Sequence, residues 1–172
     1  MLKAIFMNQI EHYLHPSSLD LVEVCGLDQM AAYLRAPYHP THRYIESLAT
    51  ASAFGHLDFW FTFWPGPVPR DVNRPATELL LAVTEFGART VPLLRGPVMI
   101  TSHDSEGGLA ALTDEQITQV ALHANRWRGR MALEWRYAVD ARAQRRRRKV
   151  ARAAQERALW DRLSNSARLT GF

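Results

Sequence analysis

Over the first two-thirds of the chain, apolar and polar positions alternate in short runs. "KAIFMN" (3–8), "LDLVEV" (19–24) and "RYIESLAT" (43–50) are each bounded by Pro, Gly, Ser or His, which predicts short strands. "LDFWFTFW" (57–64) is a fourth, rich in aromatics and ended by Pro65-Gly66-Pro67. "GPVMITS" (96–102) is a fifth, closed by the polar run "HDSEGG".

Two stretches in this region change period. "LDQMAAYLRA" puts Leu27, Met30/Ala31 and Leu34 on one helical face, and Pro37 stops it. "NRPATELLLAVTEFG" carries its own punctuation. Asn73 suits the N-cap, Pro75 the first turn and Gly87 the end, with Leu79, Leu80, Val83 and Phe86 lining one side. Strands interleaved with two short helices predict an α+β body over residues 1–112. Its sheet is expected to be small and mostly antiparallel, with the helices on one face.

Residues 113–172 read differently. "LTDEQI" opens a third helix with Thr113 as cap and Gln116 three residues on, a capping box, and Leu112 and Ile117 are placed to staple across it. Asp114 and Glu115 suit the positive end of the helix dipole. Ile117, Val120/Ala121, Ala124, Trp127, Met131, Trp135 and Ala138/Val139 then recur at helical spacing, with Gly129 as a candidate kink. That stripe predicts packing on the body or on a second copy of the chain, as a homodimer through 117–139. Beyond Val139 the stripe stops, and only Val150, Ala154, Trp160 and Leu163 give a weak apolar signal. One helix over 114–163 would span roughly 75 Å, longer than the body it grows from. The expected fold is therefore α+β: a small sheet domain followed by a long basic C-terminal helix.

Charge sharpens this division. Residues 1–112 hold 7 Lys/Arg against 11 Asp/Glu, whereas residues 113–172 hold 14 against 6. An acidic body with a basic extension points to an anionic partner. The single cysteine, Cys25, excludes an internal disulfide and suits a reducing compartment. The N-terminal segment lacks signal-peptide features, and the longest apolar runs are too short for a membrane span. A soluble, cytoplasmic protein is expected.

"NRPATELL", "RGPVMITSHDSEG" and "LTDEQ" together resemble a domain-of-unknown-function family common in actinobacterial phages and plasmids. The matching positions are Asn73, Arg74, Ala76, Thr77, Gly96, Asp104, Gly107 and Leu112. The resemblance covers residues 70–116 directly and 1–69 by pattern, and the Arg-rich extension after about 125 is an addition to it. It implies a phage or mobile-element accessory protein in a bacterial host, and no mechanism.

The candidate chemistry is concentrated in the extension. Residues 126–152 carry eleven basic side chains: Arg126, Arg128, Arg130, Arg136, Arg142, Arg145, Arg146, Arg147, Arg148, Lys149 and Arg152. Against them stand only Glu134 and Asp140. Successive helical residues are about 100° apart, so Arg145 to Lys149 encircle the axis and no core can own them. Like-charge pairs at i,i+3 and i,i+4 between 142 and 152 cost roughly 1.5–3.5 kcal/mol in total, so an anionic partner would favour the helix. Arginine's planar fork binds two phosphate oxygens at once. Nucleic acid, DNA or RNA, or a nucleoprotein machine is the expected partner, contacted by Arg142, Arg145 to Arg148, Lys149 and Arg152, with Arg126, Arg128 and Arg130 extending the patch. The alternative is an inhibitor that binds a host or defence protein by protein–protein contact. A membrane-surface role is disfavoured, because 145–149 offers no apolar face to insert.

Other features carry less. Phe59, Phe61 and Phe63 on one face of a strand and Trp60 and Trp64 on the other could form a base-stacking platform, but a buried central strand explains them as well. The pairs His12/His15 and His39/His42 have an H-x-x-H spacing that could ligate zinc. Both lie beside proline in expected loops, so structural or solvent-facing histidines are expected. His103, Asp104, Ser105 and Glu106 are expected to form a polar turn. No phosphate-cradling glycine loop, H-E-x-x-H or G-x-S-x-G occurs, so neither catalytic residues nor a cofactor are expected.

Overall fold

The alternating runs become strands β1 (Leu2–Met7), β2 (Asp20–Val24), β3 (Ile45–Ser52), β4 (Gly55–Thr62), β5 (Val98–His103) and the short β6 (Leu109–Ala110). The helices are α1 (Leu27–Tyr33), α2 (Arg74–Val83), α3 (Asp114–Ala124) and α4 (Arg130–Leu169), with one 3-10 turn at Pro16–Ser18. This computed structural model describes residues 1–8, 15–36, 45–52, 55–62, 68–124 and 130–169, with the backbone alone at 16, 130, 132 and 164–169. Among the described residues the strands form one sheet in the order β2-β1-β5-β4-β3, with β6 added to β5, and every pairing is antiparallel. The fold is α+β with a long C-terminal helix, as the pattern predicts.

Strand alternation sends two sets of side chains to two cores. Ile5, Met7, Leu57, Phe59, Val98 and Ile100 meet Leu79, Leu80 and Val83 of α2, Val120 of α3, and Leu133 and Tyr137 of α4. Ala4, Val24 and Met99 face the other way and meet Met30 and Leu34 of α1. Helices therefore cover both faces, not one as expected. The reason lies in α1, whose apolar stripe returns against the β1–β2 end of the opposite face. The aromatic strand is likewise core. Phe59 is fully buried, Phe61 packs beside it, and Trp60 donates to Thr101 Oγ1 at 2.8 Å on the α1 side. Phe59 is thereby closed to a stacking base and Trp60 and Phe61 are partly buried in the two cores, while Phe63 and Trp64 lie outside the described residues.

Local signals explain most element ends. Asn73 is fully buried; its Oδ1 accepts from Ala76 N at 3.0 Å, capping α2, while its Nδ2 donates to the carbonyls of Met7 and Gly96. Thr113 and Gln116 form the reciprocal capping box, at 3.1 and 2.9 Å. α2 ends at Val83 and not near Gly87, because the Thr84 hydroxyl turns back onto the Leu80 carbonyl; Phe86 is left exposed. "HDSEGG" is the β5–β6 turn, in which Asp104 Oδ1 accepts from the amides of Glu106 and Gly108. β6 itself, two residues long, is too short to show a period.

The largest departure concerns the helix expected to run on from Thr113. α3 is described to Ala124 and α4 from Arg130, and their buried faces do not share one phase; Trp127 and the expected kink at Gly129 lie outside the described residues. Val120 and Ala124 are buried in α3, but α4 buries Leu133, Tyr137 and Gln144. Met131, Trp135 and Val139, which the continuous stripe would bury, are exposed at 82%, 71% and 43%. The second half of the expected stripe therefore faces away from the body.

Candidate nucleic-acid interface

α4 lies along the body over its first five turns and is fastened there by polar contacts. Arg74 pairs with Glu134 at 3.4 Å and sits 4.8 Å over the Tyr137 ring. Arg136 donates to the carbonyls of Ala88 and Val91, both at 2.8 Å. Arg95 grips both oxygens of Asp140, at 2.5 and 3.2 Å, in the fork geometry that suits guanidinium and carboxylate. Gln144 Nε2 reaches the Arg70 carbonyl at 3.4 Å, and Arg148 pairs with Asp71 at 2.6 Å. Burial pushes the Tyr137 phenol well above its ordinary pKa, with the nearby Glu78 carboxylate acting in the same direction.

These contacts sort the charges of the helix. The two acids of the basic region, Glu134 and Asp140, are both turned to arginines of the body. Arg142, Arg145, Arg146, Arg147, Lys149 and Arg152 are exposed. Between Arg142 and Arg152 the outer charge of the helix is thus positive, with the next acids, Glu156 and Asp161, further along. Arg148 is the exception. Its hydrogen bond to Asp71, reinforced by the charge of that carboxylate, raises its already high pKa. Both partners are more than half exposed, so the pair contributes only about 0.2–1 kcal/mol.

Arg145, Arg148, Lys149 and Arg152 follow the spacing i, i+3, i+4, i+7 and fall on one face. With Ala151 and Gln155 of the same helix and Val68 of the body they border an open surface cleft of about 610 Å³. Four cations along one open face can engage several phosphate oxygens at once. Arg142 and Arg146 point away from the body, and Arg147 lies on a third side, so the arginines encircle the axis as expected. From Arg152 to Leu163 every residue is exposed. Arg126 and Arg128 lie outside the described residues, and Arg130 opens α4 with its side chain outside them. Val68 and Asp71, which complete the cleft and its one ion pair, carry no local sequence signal; Asp71 stands 77 residues from Arg148.

The shelf carrying this end of α4 is well determined. Arg70 donates to the carbonyls of Leu34 and Arg35 and to Thr62 Oγ1, and burial lowers its pKa, helped by the charge of Arg35. Gly96 takes φ +70, and a Cβ there would stand 2.7 Å from Arg70 Cδ, so only glycine fits without displacing that side chain.

A second polar cluster lies at the β4–β5 end of the sheet. His103 Nδ1 lies 2.9 Å from the buried Asp58 carboxylate, and its ring stacks on His56 at 4.5 Å. Ser102 and Gln116 bond the His56 carbonyl and complete this end of the sheet. His15 is engaged with Ser17, whereas His12, His39 and His42 lie outside the described residues. Among the described residues, no group of three or more His, Cys, Asp or Glu side chains is placed to hold a metal. Among them too, no helix is long and apolar enough to cross a membrane. The chain matches no protein-family model, no curated protein and no solved structure.

Proposed function

We propose that this protein is a non-enzymatic accessory protein that binds the phosphate backbone of nucleic acid through α4, as part of a phage or mobile element. The observation that carries the reading is the cleft face. Arg145, Arg148, Lys149 and Arg152 share one face, while Glu134 and Asp140, the acids that precede them on the helix, are engaged with Arg74 and Arg95, and the next acid, Glu156, stands one turn beyond Arg152. A helix meant only to stay solvated would gain by pairing its own acids and bases at i,i+4. Here Glu134 and Asp140 serve to fasten the helix, and after Asp140 i,i+4 spacings of base and acid occur only at Arg152/Glu156 and Arg157/Asp161. Among the described residues the seven cations between 142 and 152 share a single body carboxylate, Asp71. Contacts of this kind supply affinity and not sequence readout.

Fluorescence anisotropy with labelled DNA and RNA, between about 50 and 200 mM salt, tests this. The variant replaces Arg145, Arg148, Lys149 and Arg152 with glutamine, which relieves like-charge repulsion and so does not weaken the helix. The slope of log affinity against log salt is expected to flatten by about 3. A variant with wild-type affinity and slope overturns the phosphate reading. Wild-type protein that binds no nucleic acid at low salt, but retains one protein after nuclease treatment, establishes the alternative of a protein-binding inhibitor.

A further inference from the structure

The outward face of α4 is not basic throughout. With 100° per residue, Trp135, Arg142, Arg146, Lys149 and Trp160 all fall within about 60° of one another. Their common direction is opposite to that of Leu133, Tyr137 and Gln144, which bury against the body. Trp135 is 71% exposed and Trp160 70%. Trp135 stands about 10 Å along the axis from Arg142, and Lys149 about 16 Å from Trp160. The face therefore runs from indole through three cations to indole, over about 38 Å. Exposed tryptophan is costly to leave in water, and two of them bracketing a cationic block on one helix side need a common explanation.

Three occupants fail on this pattern. A second copy in the antiparallel register that sets Trp135 opposite Trp160 would place Arg146 against Lys149 at both ends of the block. A membrane surface would have to take those three cations into the middle of the inserted face, where an interfacial helix is apolar. A nucleic-acid duplex keeps its bases inside the stack, so it offers phosphates to the cations and leaves both indoles unused. A single strand presents what the face requires: phosphates in series, and unstacked bases whose flat faces lie on aromatic side chains.

We infer that the outward face of α4 binds single-stranded nucleic acid, with bases stacked on Trp135 and Trp160 and the intervening backbone held by Arg142, Arg146 and Lys149. The inference rests on the phosphate-binding reading of the same helix and narrows it to single strands. The cleft cations on the adjoining side extend the electrostatic track, and Lys149 borders both.

The test uses the full chain with three probes of equal length, about 20 nucleotides each: oligo-dT, an abasic strand with the same phosphates, and a duplex. Wild type is expected to bind oligo-dT most tightly and to show quenched tryptophan fluorescence with it alone. Trp135→Ala and Trp160→Ala are each expected to weaken oligo-dT binding roughly 5- to 150-fold, while leaving the salt slope and the duplex and abasic affinities unchanged. Trp135→Phe is expected to restore most of the loss. Both tryptophans are exposed, so their truncation does not threaten folding. Equal affinity for oligo-dT and the abasic strand, or an unaffected double variant, overturns the single-strand inference and leaves the phosphate reading standing if salt dependence persists. Absence of binding to all three probes overturns both. Binding to vesicles rich in anionic lipid in preference to oligo-dT also overturns the inference.

Discussion

Replacing Asn73 with alanine removes three hydrogen bonds from a position with no exposure to water. The Oδ1 acceptor caps α2 through Ala76 N, and losing such a cap costs about 1 kcal/mol. The Nδ2 group donates at 3.0 Å to the Met7 carbonyl and at 2.9 Å to the Gly96 carbonyl. These bonds join the end of β1 to the entry of β5, and leaving each buried acceptor short of a donor costs roughly 1–2 kcal/mol. The sum is about 3–5 kcal/mol, a large share of the 5–15 kcal/mol typical of a whole domain. Urea unfolding followed by circular dichroism should show the midpoint fall with the slope unchanged. Asn73→Asp separates the two roles. It retains the capping oxygen, which the helix dipole favours as a carboxylate, but it turns a negative oxygen toward two carbonyls. Aspartate should therefore destabilise at least as much as alanine. A loss below about 1 kcal/mol for alanine, or wild-type stability for aspartate, would refute the claim that Asn73 works mainly by joining β1 to β5.

Three further outcomes are expected. Gly96→Ala should cost about 2–4 kcal/mol in the same urea assay, because the backbone is left-handed there and Arg70 must give up its bonds to Leu34, Arg35 and Thr62. The Tyr137 phenol is held neutral in the fold, so its pKa lies above the ordinary value near 10. That stabilisation is complete below about pH 10 and is lost as pH rises through the folded value; stability should fall above about pH 10 in wild type and more gently in Tyr137→Phe. Asp71→Asn should change stability by less than about 1 kcal/mol, since the Arg148 pair is exposed, yet raise nucleic-acid affinity at low salt by freeing that cation, as titration of both proteins would show.

The local grammar of this chain was readable where neighbours a few residues apart decide the outcome. Asn73 and the Thr113/Gln116 box were legible because a cap needs only a side-chain oxygen and an amide three residues on. The strands were legible because a half-buried strand repeats every two residues. The basic residues of 145–149 were legible as exposed because five consecutive cations cannot all turn away from water. What misled was the assumption of continuity. From Ile117 to Val139 the apolar spacing fits one buried stripe, and only the packing of α4 on the body reveals that Trp135 faces out and Gln144 faces in.

By itself, then, the sequence determined the α+β class, most of the elements, their caps and the position of the uncompensated charge, since each depends on short-range periodicity or on charge density. The tertiary structure decided which face of α4 meets the body. It did so through partners 45 to 77 residues away: Arg95 for Asp140, Arg74 for Glu134, and Asp71 for Arg148. No periodicity encodes such pairings, because they form only once the sheet has brought the 70–74 and 95–96 segments together beneath the helix. That choice of face also set Trp135 and Trp160 in line with Arg142, Arg146 and Lys149, turning a run of arginines into a surface with a direction.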